Sequence, residues 1–173
     1  MSTRVSIASI ALCLAFFAYF TEATHAAEIV GRVVGLADGD TITVLVNDHE
    51  KLQVRLAGID APEKGQPFGA DSKSHLSERV FGRIVTVEWA KLDKYRRVVG
   101  RVLSDGEDVC LDQVRAGLAW HYKQYANEQP AGQRAAYAAA EEQARQDKVG
   151  LWSQPNPVPP WEFRHPERTG AGK

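Results

Sequence analysis

The stretch Leu-Gln-Val-Arg-Leu-Ala-Gly-Ile-Asp-Ala-Pro-Glu, residues 52–63, joins an alternating apolar segment to a stiff acidic turn. Its first apolar residues share one face of a strand, which directs Arg55 to the opposite face. Pro62 fixes its own backbone angle and favours an extended conformation for the residue before it. The pattern predicts a strand whose end holds Arg55, Asp60 and Glu63 close together, although alone it is also consistent with a polar loop.

Segments with β character lie on both sides of this stretch. The sequence Asp38-Gly39-Asp40 is typical of a tight turn, and a short polar loop over residues 47–50 leads into the central stretch. The first three strands are therefore predicted to form an antiparallel meander. Two strands are predicted before the central stretch, at residues 29–36 and 41–46. Two more are predicted after it, at residues 84–89 and 98–103.

Apolar residues at helical spacing predict three helices. They cover residues 69–81, 109–118 and 131–148, and Gly150 is expected to end the third. Five short strands with about three helices indicate an α+β, mainly β fold. The expected architecture is a small five-stranded barrel of the oligonucleotide-binding type.

The first 26 residues have the layout of a secretory signal peptide. Arg4 precedes a largely apolar run over residues 5–20, and small residues follow it. Thr24 and Ala26 are both small, so cleavage is expected after Ala26. An uncleaved membrane anchor is the alternative, but the run is shorter than the roughly 20 apolar residues of a spanning helix. A lipoprotein signal is disfavoured because Cys13 lies inside the apolar run.

Cleavage would leave one domain and a short tail. Residues 27–153 are predicted to be the barrel domain, and the proline-rich residues 154–173 an extended tail that is only partly ordered. Of the two cysteines, Cys13 leaves with the signal and Cys110 lies on the apolar stripe of the second helix. No intramolecular disulfide is expected in the mature chain, and Cys110 is predicted to be buried and inert.

The net charge gives no indication of an anionic partner. It is −1 for the whole chain, and it stays at −1 when Arg4 and Glu22 leave with the signal. The placement of charge is more informative, although most basic clusters are only solvated faces. The clustered basic side chains are those of Lys91, Lys94, Arg96, Arg97 and Arg101, followed by Arg115, His121 and Lys123.

Five short motifs follow one another in the chain. They are Asp38-Gly39-Asp40-Thr41, residues 55–63, Asp93-Lys94-Tyr95-Arg96-Arg97, Gly117-Leu118-Ala119 and Leu151-Trp152-Ser153. Each is common alone, but their order and separations resemble the staphylococcal nuclease (thermonuclease) family. The match runs from about residue 30 to residue 153. The Pro-Pro-Trp-Glu-Phe-Arg sequence of the tail is similar to that of secreted bacterial members of the family.

The resemblance implies a Ca²⁺-dependent nuclease. Asp40 and Asp60 would hold the metal by their carboxylates and Ala61 by its main-chain oxygen. Such an oxygen-only ligand set is hard and suits Ca²⁺ or Mg²⁺ better than zinc. Glu63 would orient or deprotonate the attacking water.

The resemblance also implies how the substrate is held. Arg55 and Arg97 would grip the phosphate, since a planar guanidinium matches two phosphate oxygens at once. Lys94, Tyr95 and Tyr125 would contact the nucleotide beyond the scissile phosphate. DNA and RNA would both be substrates, and the products would carry a 3′-phosphate. The protein is expected to act as a monomer in the periplasm or outside the cell, without stable membrane association.

Three positions depart from the family pattern. Ala61 stands where members often have Thr, which a ligand acting through its carbonyl does not need. Arg96 stands where members usually have Gly, so the local turn geometry is in question. The loop between Glu63 and the first helix is shorter than in the best-known member.

Two other classes of function are weighed against the nuclease. The first is a catalytically inactive module on the same barrel, which would bind single strands or a protein ligand without cutting them. The second is a calcium-stabilised structural domain, which would explain the acids but leave Arg55 and Arg97 without a task. The retention of all five predicted acids and arginines favours the enzyme, namely Asp40, Arg55, Asp60, Glu63 and Arg97.

Overall fold

The computed structural model describes residues 27–165. The predicted signal peptide and the end of the tail, residues 166–173, lie outside the described residues. Within residues 27–165, no helix has both the length and the apolar character needed to cross a bilayer.

The strands appear where alternation predicted them, together with three additional short strands of two residues each. The helical bounds also agree closely with the prediction, except that the second and third helices are shorter. The strands are β1 (Ala27–Leu36), β2 (Thr41–Val46), β3 (Glu50–Leu56), β4 (Ile59–Asp60), β5 (Ile84–Leu92), β6 (Val98–Ser104), β7 (Glu107–Asp108) and β8 (Trp120–His121). The α-helices are α1 (Gly69–Val80), α2 (Val109–Arg115), α3 (Ala131–Gln146) and α4 (Pro160–Phe163), with 3₁₀ turns at Lys123–Glu128 and Gly150–Ser153.

Five strands close into a barrel, which confirms the predicted fold class. They are joined in the order β3-β2-β1-β5-β6, and all neighbours in this order are antiparallel. The barrel is closed by a parallel pairing of β3 with β6, in which Arg55 lies opposite Val99. The side chain of Arg55 therefore lies at the seam of the barrel, on the face away from the core.

The hairpin between β2 and β3 is turned by two residues in the left-handed region. Asn47 has φ 51° and Asp48 has φ 60°. Short side chains that bond to their own backbone tolerate this conformation better than others do. The turn sets the register that places Thr41 opposite Arg55 and so brings the end of β2 beside the end of β3.

Helix α3 ends earlier than predicted, and Gly150 is not its stop. Lys148 takes the left-handed conformation, with φ 54°. Its N–H donates to Arg145 O at 3.2 Å, and the N–H of Val149 donates to Ala144 O at 3.1 Å. This is a Schellman arrangement with lysine in the position that glycine usually takes. Gly150 has φ 56° but begins the following 3₁₀ turn.

The barrel core is built mainly from valine and other branched aliphatic side chains. A second, smaller cluster joins Trp120, Trp152, Leu151 and Ala144 beneath α3. Trp120 and Trp152 are both buried and act as packing residues. Cys110 is buried as predicted, and this burial raises the pKa of its thiol to about 12.

The proline-rich segment is more structured than predicted. Pro160 is buried and opens the short helix α4, because proline is well suited to the first helical position. Trp161 stacks on Tyr122 with ring centroids 5.4 Å apart and meets Trp120 edge-on at 5.5 Å. The described part of the tail therefore packs against the barrel domain.

Replacing Leu56 by alanine should destabilise the fold strongly. Leu56 is 1% exposed and lies in β3 next to the seam. Its loss should lower the free energy of unfolding by about 2 to 5 kcal/mol, measured by urea titration. Leu92→Ala is the matched control, because Leu92 is 48% exposed. A loss of less than about 0.5 kcal/mol is expected there, and equal losses in the two variants would contradict this description of the core.

Candidate active site

Arg55 is the centre of a cluster that lies where β3 ends. Its Nη1 donates to the carbonyl oxygens of Leu56 at 3.1 Å and Ile59 at 3.0 Å. Its Nη2 lies 3.0 Å from Asp40 Oδ2 and 2.7 Å from Asp60 Oδ1. One guanidinium thus fixes the turn after β3 and holds two carboxylates together.

Asp40 is a buried carboxylate that the Asp-Gly-Asp turn delivers to the start of β2. Besides Arg55, its oxygens accept hydrogen bonds from the Ala61 N–H at 2.6 Å and the Thr41 hydroxyl at 3.2 Å. Burial raises the pKa of Asp40 to about 7, although Arg55 works in the opposite direction. Burial therefore affects the pKa of this carboxyl more strongly than the charge of Arg55 does.

Gly39 is required next to Asp40 for reasons of space. A Cβ at this position would lie 1.9 Å from Ser72 Oγ on α1. The Gly39 carbonyl accepts a hydrogen bond from the buried Gln113 side chain at 2.7 Å. The turn that carries Asp40 is therefore fixed against both α1 and α2.

Asp60 is held by its backbone as well as by its side chain. It lies in β4, which pairs with β8 so that Asp60 is opposite Trp120. The residue is fully buried, and its carboxylate contacts two guanidinium groups, those of Arg55 and Arg164. Alternation in the sequence gave no indication of this two-stranded ladder, because each strand has only two residues.

Glu63 lies at the start of a compact loop. The backbone N–H of Glu63 donates a hydrogen bond to Gln66 Oε1 at 3.0 Å, which fixes the start of the loop. The Gln66 amide in turn donates to the Val158 carbonyl at 2.5 Å, which ties the loop to the C-terminal segment. The carboxylate of Glu63 contacts Arg164 Nη1 at 2.5 Å.

Arg164 is the residue of this cluster that the sequence interpretation missed. It follows α4 and reaches both Asp60 and Glu63. Burial works against its charge, but hydrogen bonds to the two acids outweigh this and raise the pKa of Arg164. Two features of the sequence could have indicated an ordered segment here: prolines at the start of a helix, and Trp161 and Phe163 in an otherwise polar tail.

Arg97 occupies a separate turn between β5 and β6. Its Nε donates to Asp93 Oδ2 at 2.7 Å, and its guanidinium carbon lies 5.4 Å from the centre of the Tyr95 ring. Burial opposes ionisation of Asp93, but hydrogen bonds from Arg97 and Tyr95 outweigh it and lower the pKa of Asp93. Among the described residues, no ion pair or hydrogen bond joins Arg97 to Asp40, Asp60 or Glu63.

Arg97 nevertheless lies close in the chain to the seam that contains Arg55. The parallel register places Val99 opposite Arg55, and residues two apart along a strand share a face. Arg97 is two residues before Val99, but it lies in the turn just before β6, which begins at Val98. Both predicted phosphate-binding arginines are therefore near the pairing of β3 with β6.

Arg96 adopts the conformation that the usual glycine would take. Its φ is 64°, in the left-handed region. The turn is closed by the Arg96 N–H, which donates to Asp93 O at 2.9 Å. The turn thus accommodates arginine at this position, at the cost of a strained backbone.

The predicted nucleotide contacts are exposed and carry cations on their rings. Tyr95 is 68% exposed, and Lys94 Nζ lies 5.0 Å from its ring centre. Tyr125 is also exposed, with Lys91 Nζ at 5.0 Å. Tyr122, which the sequence interpretation did not select, contacts Tyr125 edge-on at 5.1 Å. Burial, followed by the charge of Asp60, raises the pKa of Tyr122.

His121 does not reach a phosphate site. It is 1% exposed and shares a hydrogen bond with Gln129 Oε1 at 2.8 Å. Burial lowers its pKa and so disfavours the protonated ring. Its role is to pack against Tyr137 beneath α3.

Asp40 and Asp60 fit a divalent cation by position and chemistry. They are buried carboxylates that share one guanidinium nitrogen, and Asp40 is only partly compensated by it. Their oxygens are hard ligands of the kind that Ca²⁺ and Mg²⁺ bind. Within residues 27–165, no group of three or more His, Cys, Asp or Glu side chains is arranged to hold a metal. The predicted set has only two such side chains, because its third ligand is the Ala61 carbonyl.

Comparison with known proteins shows the family. The model of the family described as staphylococcal nuclease homologue matches residues 53–154. This range contains the seam, Asp60, Glu63 and the Arg97 turn. The chain belongs to the staphylococcal nuclease family.

Relatives from several bacteria are similar over most of their length. An uncharacterized endonuclease of Escherichia coli is 44% identical over 140 residues, which cover 80% of this chain and 87% of that protein. An uncharacterized endonuclease of Haemophilus influenzae is 39% identical over 137 residues, covering 79% and 74%. A micrococcal nuclease of Shigella flexneri is 38% identical over 154 residues, covering 84% and 86%.

Replacing Arg55 by lysine should destabilise the protein although it keeps the charge. A single ammonium cannot reach both carbonyls and both carboxylates that the guanidinium contacts. We expect the free energy of unfolding to fall by about 1 to 3 kcal/mol in urea. Arg83→Lys, at the exposed Arg83–Asp105 pair, should change it by less than about 0.5 kcal/mol. A neutral Arg55→Lys would show that the turn is held by other contacts.

Replacements at Arg96 should rank by backbone conformation. Alanine removes the side chain but keeps the strain of a positive φ, whereas glycine relieves it. Arg96→Gly should therefore be more stable than Arg96→Ala by about 1 kcal/mol in urea unfolding. If alanine equals or exceeds glycine, residue 96 is not in the left-handed region in solution.

Proposed function

We propose that this protein is an exported, Ca²⁺-dependent endonuclease that hydrolyses phosphodiester bonds of DNA and RNA and leaves 3′-phosphates. The observation that carries the proposal is the Arg55 guanidinium, which holds Asp40 and Asp60 side by side at the end of β3. Glu63 joins the same cluster through Arg164. The nuclease names of the bacterial relatives support the same activity.

In this proposal, Asp40 and Asp60 hold the cation by their carboxylates and Ala61 by its carbonyl oxygen. The cation, when bound, supplies positive charge for the non-bridging phosphate oxygens. The hydrogen bond from the Ala61 N–H to Asp40 fixes the relation between two of these three residues. The pairing of β4 with β8 fixes the third.

Glu63 is the proposed general base. Its carboxylate is 32% exposed, in contrast to the buried acids beside it, and so it can meet a water molecule. The water oxygen forms a bond to phosphorus while its proton passes to Glu63. The bond from phosphorus to the 5′ oxygen then breaks, and that oxygen takes a proton from solvent. This order of bonds yields a 3′-phosphate and a 5′-hydroxyl.

Arg55 and Arg97 are proposed to bind the phosphate near the pairing of β3 with β6. Charge that grows on the phosphate oxygens in the transition state would be met by their N–H groups. Lys94, Tyr95 and Tyr125 lie on exposed turns on which a nucleotide can rest. Aromatic rings and cations together suit single strands, whose bases are free to stack.

Export is part of the proposal and rests on residues 1–26, which the structure does not describe. Cleavage after Ala26 would release the barrel domain into the periplasm or the medium as a monomer. The intact mass of protein recovered from outside the cytoplasm tests this. A species that keeps residues 1–20 would favour the membrane anchor instead.

A cleavage assay tests the enzymatic part. Purified protein is incubated with end-labelled DNA and RNA in Ca²⁺ and in chelator. Cleavage only with Ca²⁺, giving ends that a phosphatase can trim at the 3′ side, is expected. The Asp40→Asn/Asp60→Asn double variant is the control for a contaminating nuclease. Binding without cleavage in every condition would favour the inactive binding module.

Glu63→Gln should reduce turnover without unfolding the protein. The amide keeps the size of the side chain but cannot accept the proton of water. Loss of a general base typically costs about 10² to 10⁴ in rate, so kcat should fall by that factor. Glu107→Gln is the matched control, since Glu107 is an exposed acid in β7. This strand pairs with the end of β6 opposite to the end that pairs with β3. Normal kcat in a folded Glu63→Gln protein would remove Glu63 from the mechanism.

A further inference from the structure

Arg164 contacts both types of acid that the reaction needs. Its Nη2 lies 2.8 Å from Asp60 Oδ2, and its Nη1 lies 3.3 Å from Asp60 Oδ1 and 2.5 Å from Glu63 Oε1. One guanidinium therefore bridges a proposed metal ligand and the proposed general base. While all three contacts are in place, Arg164 occupies both carboxylate oxygens of Asp60 and the Oε1 atom of Glu63.

The oxygens of Asp60 show what must change when a cation binds. Oδ1 contacts both Arg55 and Arg164, whereas Oδ2 contacts Arg164 among the described ion pairs and hydrogen bonds. Arg55 is fixed by two carbonyls and by Asp40, but Arg164 has no such additional anchors in residues 27–165. A dication at Asp60 would repel both guanidiniums, and Arg164 is the one that can leave.

The segment that carries Arg164 is held by specific contacts at Trp161 and Val158, but a small cavity lies between it and the barrel domain. Trp161 stacks on Tyr122, and the Val158 carbonyl accepts the hydrogen bond from Gln66. A small cavity of about 130 Å³ lies between this segment and the barrel domain, and Pro62, Trp120 and Phe163 are among its lining residues. The Arg164 side chain is 38% exposed, so it has a path from the acids to solvent.

We propose that Arg164 is an internal counter-cation that competes with the divalent metal for Asp60 and Glu63 and thereby sets the metal affinity of the site. The inference rests on the proposed function, because it takes Asp60 as a metal ligand. When the metal is absent, the guanidinium neutralises the acids. When the metal binds, Arg164 leaves Asp60 and frees Glu63 at the same time, so that the base is released only in the loaded protein. The measured affinity is lowered by the fraction of molecules in which Arg164 is in place.

Calorimetric Ca²⁺ titration of the full mature chain tests the competition without any need for activity. Arg164→Gln should bind Ca²⁺ about 5- to 100-fold more tightly than the wild type, as expected for a coupling between two ligands of one site. Arg164→Lys should fall between them, because a lysine keeps the charge but loses the two-pronged contact. Arg83→Gln, which removes a positive charge from an exposed pair elsewhere, should bind as the wild type does.

A second measurement follows Arg164 itself. In the wild type, the guanidinium N–H signals in NMR should be protected from exchange before Ca²⁺ is added and should lose this protection when it binds. Retained protection at saturating Ca²⁺ would overturn the inference. So would unchanged or weaker affinity in Arg164→Gln when the wild type binds.

Failure of the proposed function gives a different result. Asp60→Asn serves to locate the site, because Ca²⁺ binding that it does not weaken is not at Asp60. If neither the wild type nor Arg164→Gln binds Ca²⁺ in a manner that depends on Asp60, then the proposed metal site is wrong. The proposed competition is then also wrong. Binding in Arg164→Gln alone would support the competition in its strongest form.

Discussion

The hydrogen bonds of one guanidinium connect the fold of this protein to its acid cluster. Arg55 lies in the seam where β3 pairs with β6. One of its guanidinium nitrogens donates hydrogen bonds to two backbone carbonyls at the end of β3 and in the following turn. The other nitrogen holds Asp40 and Asp60. Closure of the barrel, the shape of the turn and the spacing of the acids therefore all involve the same residue, Arg55. Any change at Arg55 alters structure and chemistry together.

The cluster is also short of positive charge. Three carboxylates, of Asp40, Asp60 and Glu63, face the two guanidiniums of Arg55 and Arg164. Burial raises the pKa of Asp40 to about 7, and the nearby charges of Asp38 and Asp60 act in the same direction, against Arg55. A site of this kind gains from any additional cation, whether it comes from solvent or from the substrate complex.

Much of the fold could be predicted because its elements have clear local signals. The five barrel strands show alternation and the three long helices show helical spacing, whereas β4 and β8 are too short to show any period. The end of α3 was predicted too late in the chain. The left-handed conformation that ends the helix is adopted by Lys148, whereas glycine is the residue type expected there and Gly150 lies two residues later. Arg55, Asp60 and Glu63 were predicted to lie close together because one strand and the turn after it carry all three, whereas Asp40 was added only by the resemblance to the family. Arg164 was missed since its partner Asp60 is 104 residues away, beyond any pattern in the sequence.

The same difference in separation has a consequence for the order in which the cluster assembles. The bond from Ala61 to Asp40 spans 21 residues, so the chain forms this loop at a small entropic cost. The contacts of Arg164 with Glu63 and Asp60 span 101 and 104 residues, and they form only when the end of the chain is present. A ribosome that has released the first six strands has already made the acids and Arg55. The nascent domain thus passes through an interval in which its acidic centre is complete and its C-terminal cation has not yet been synthesised.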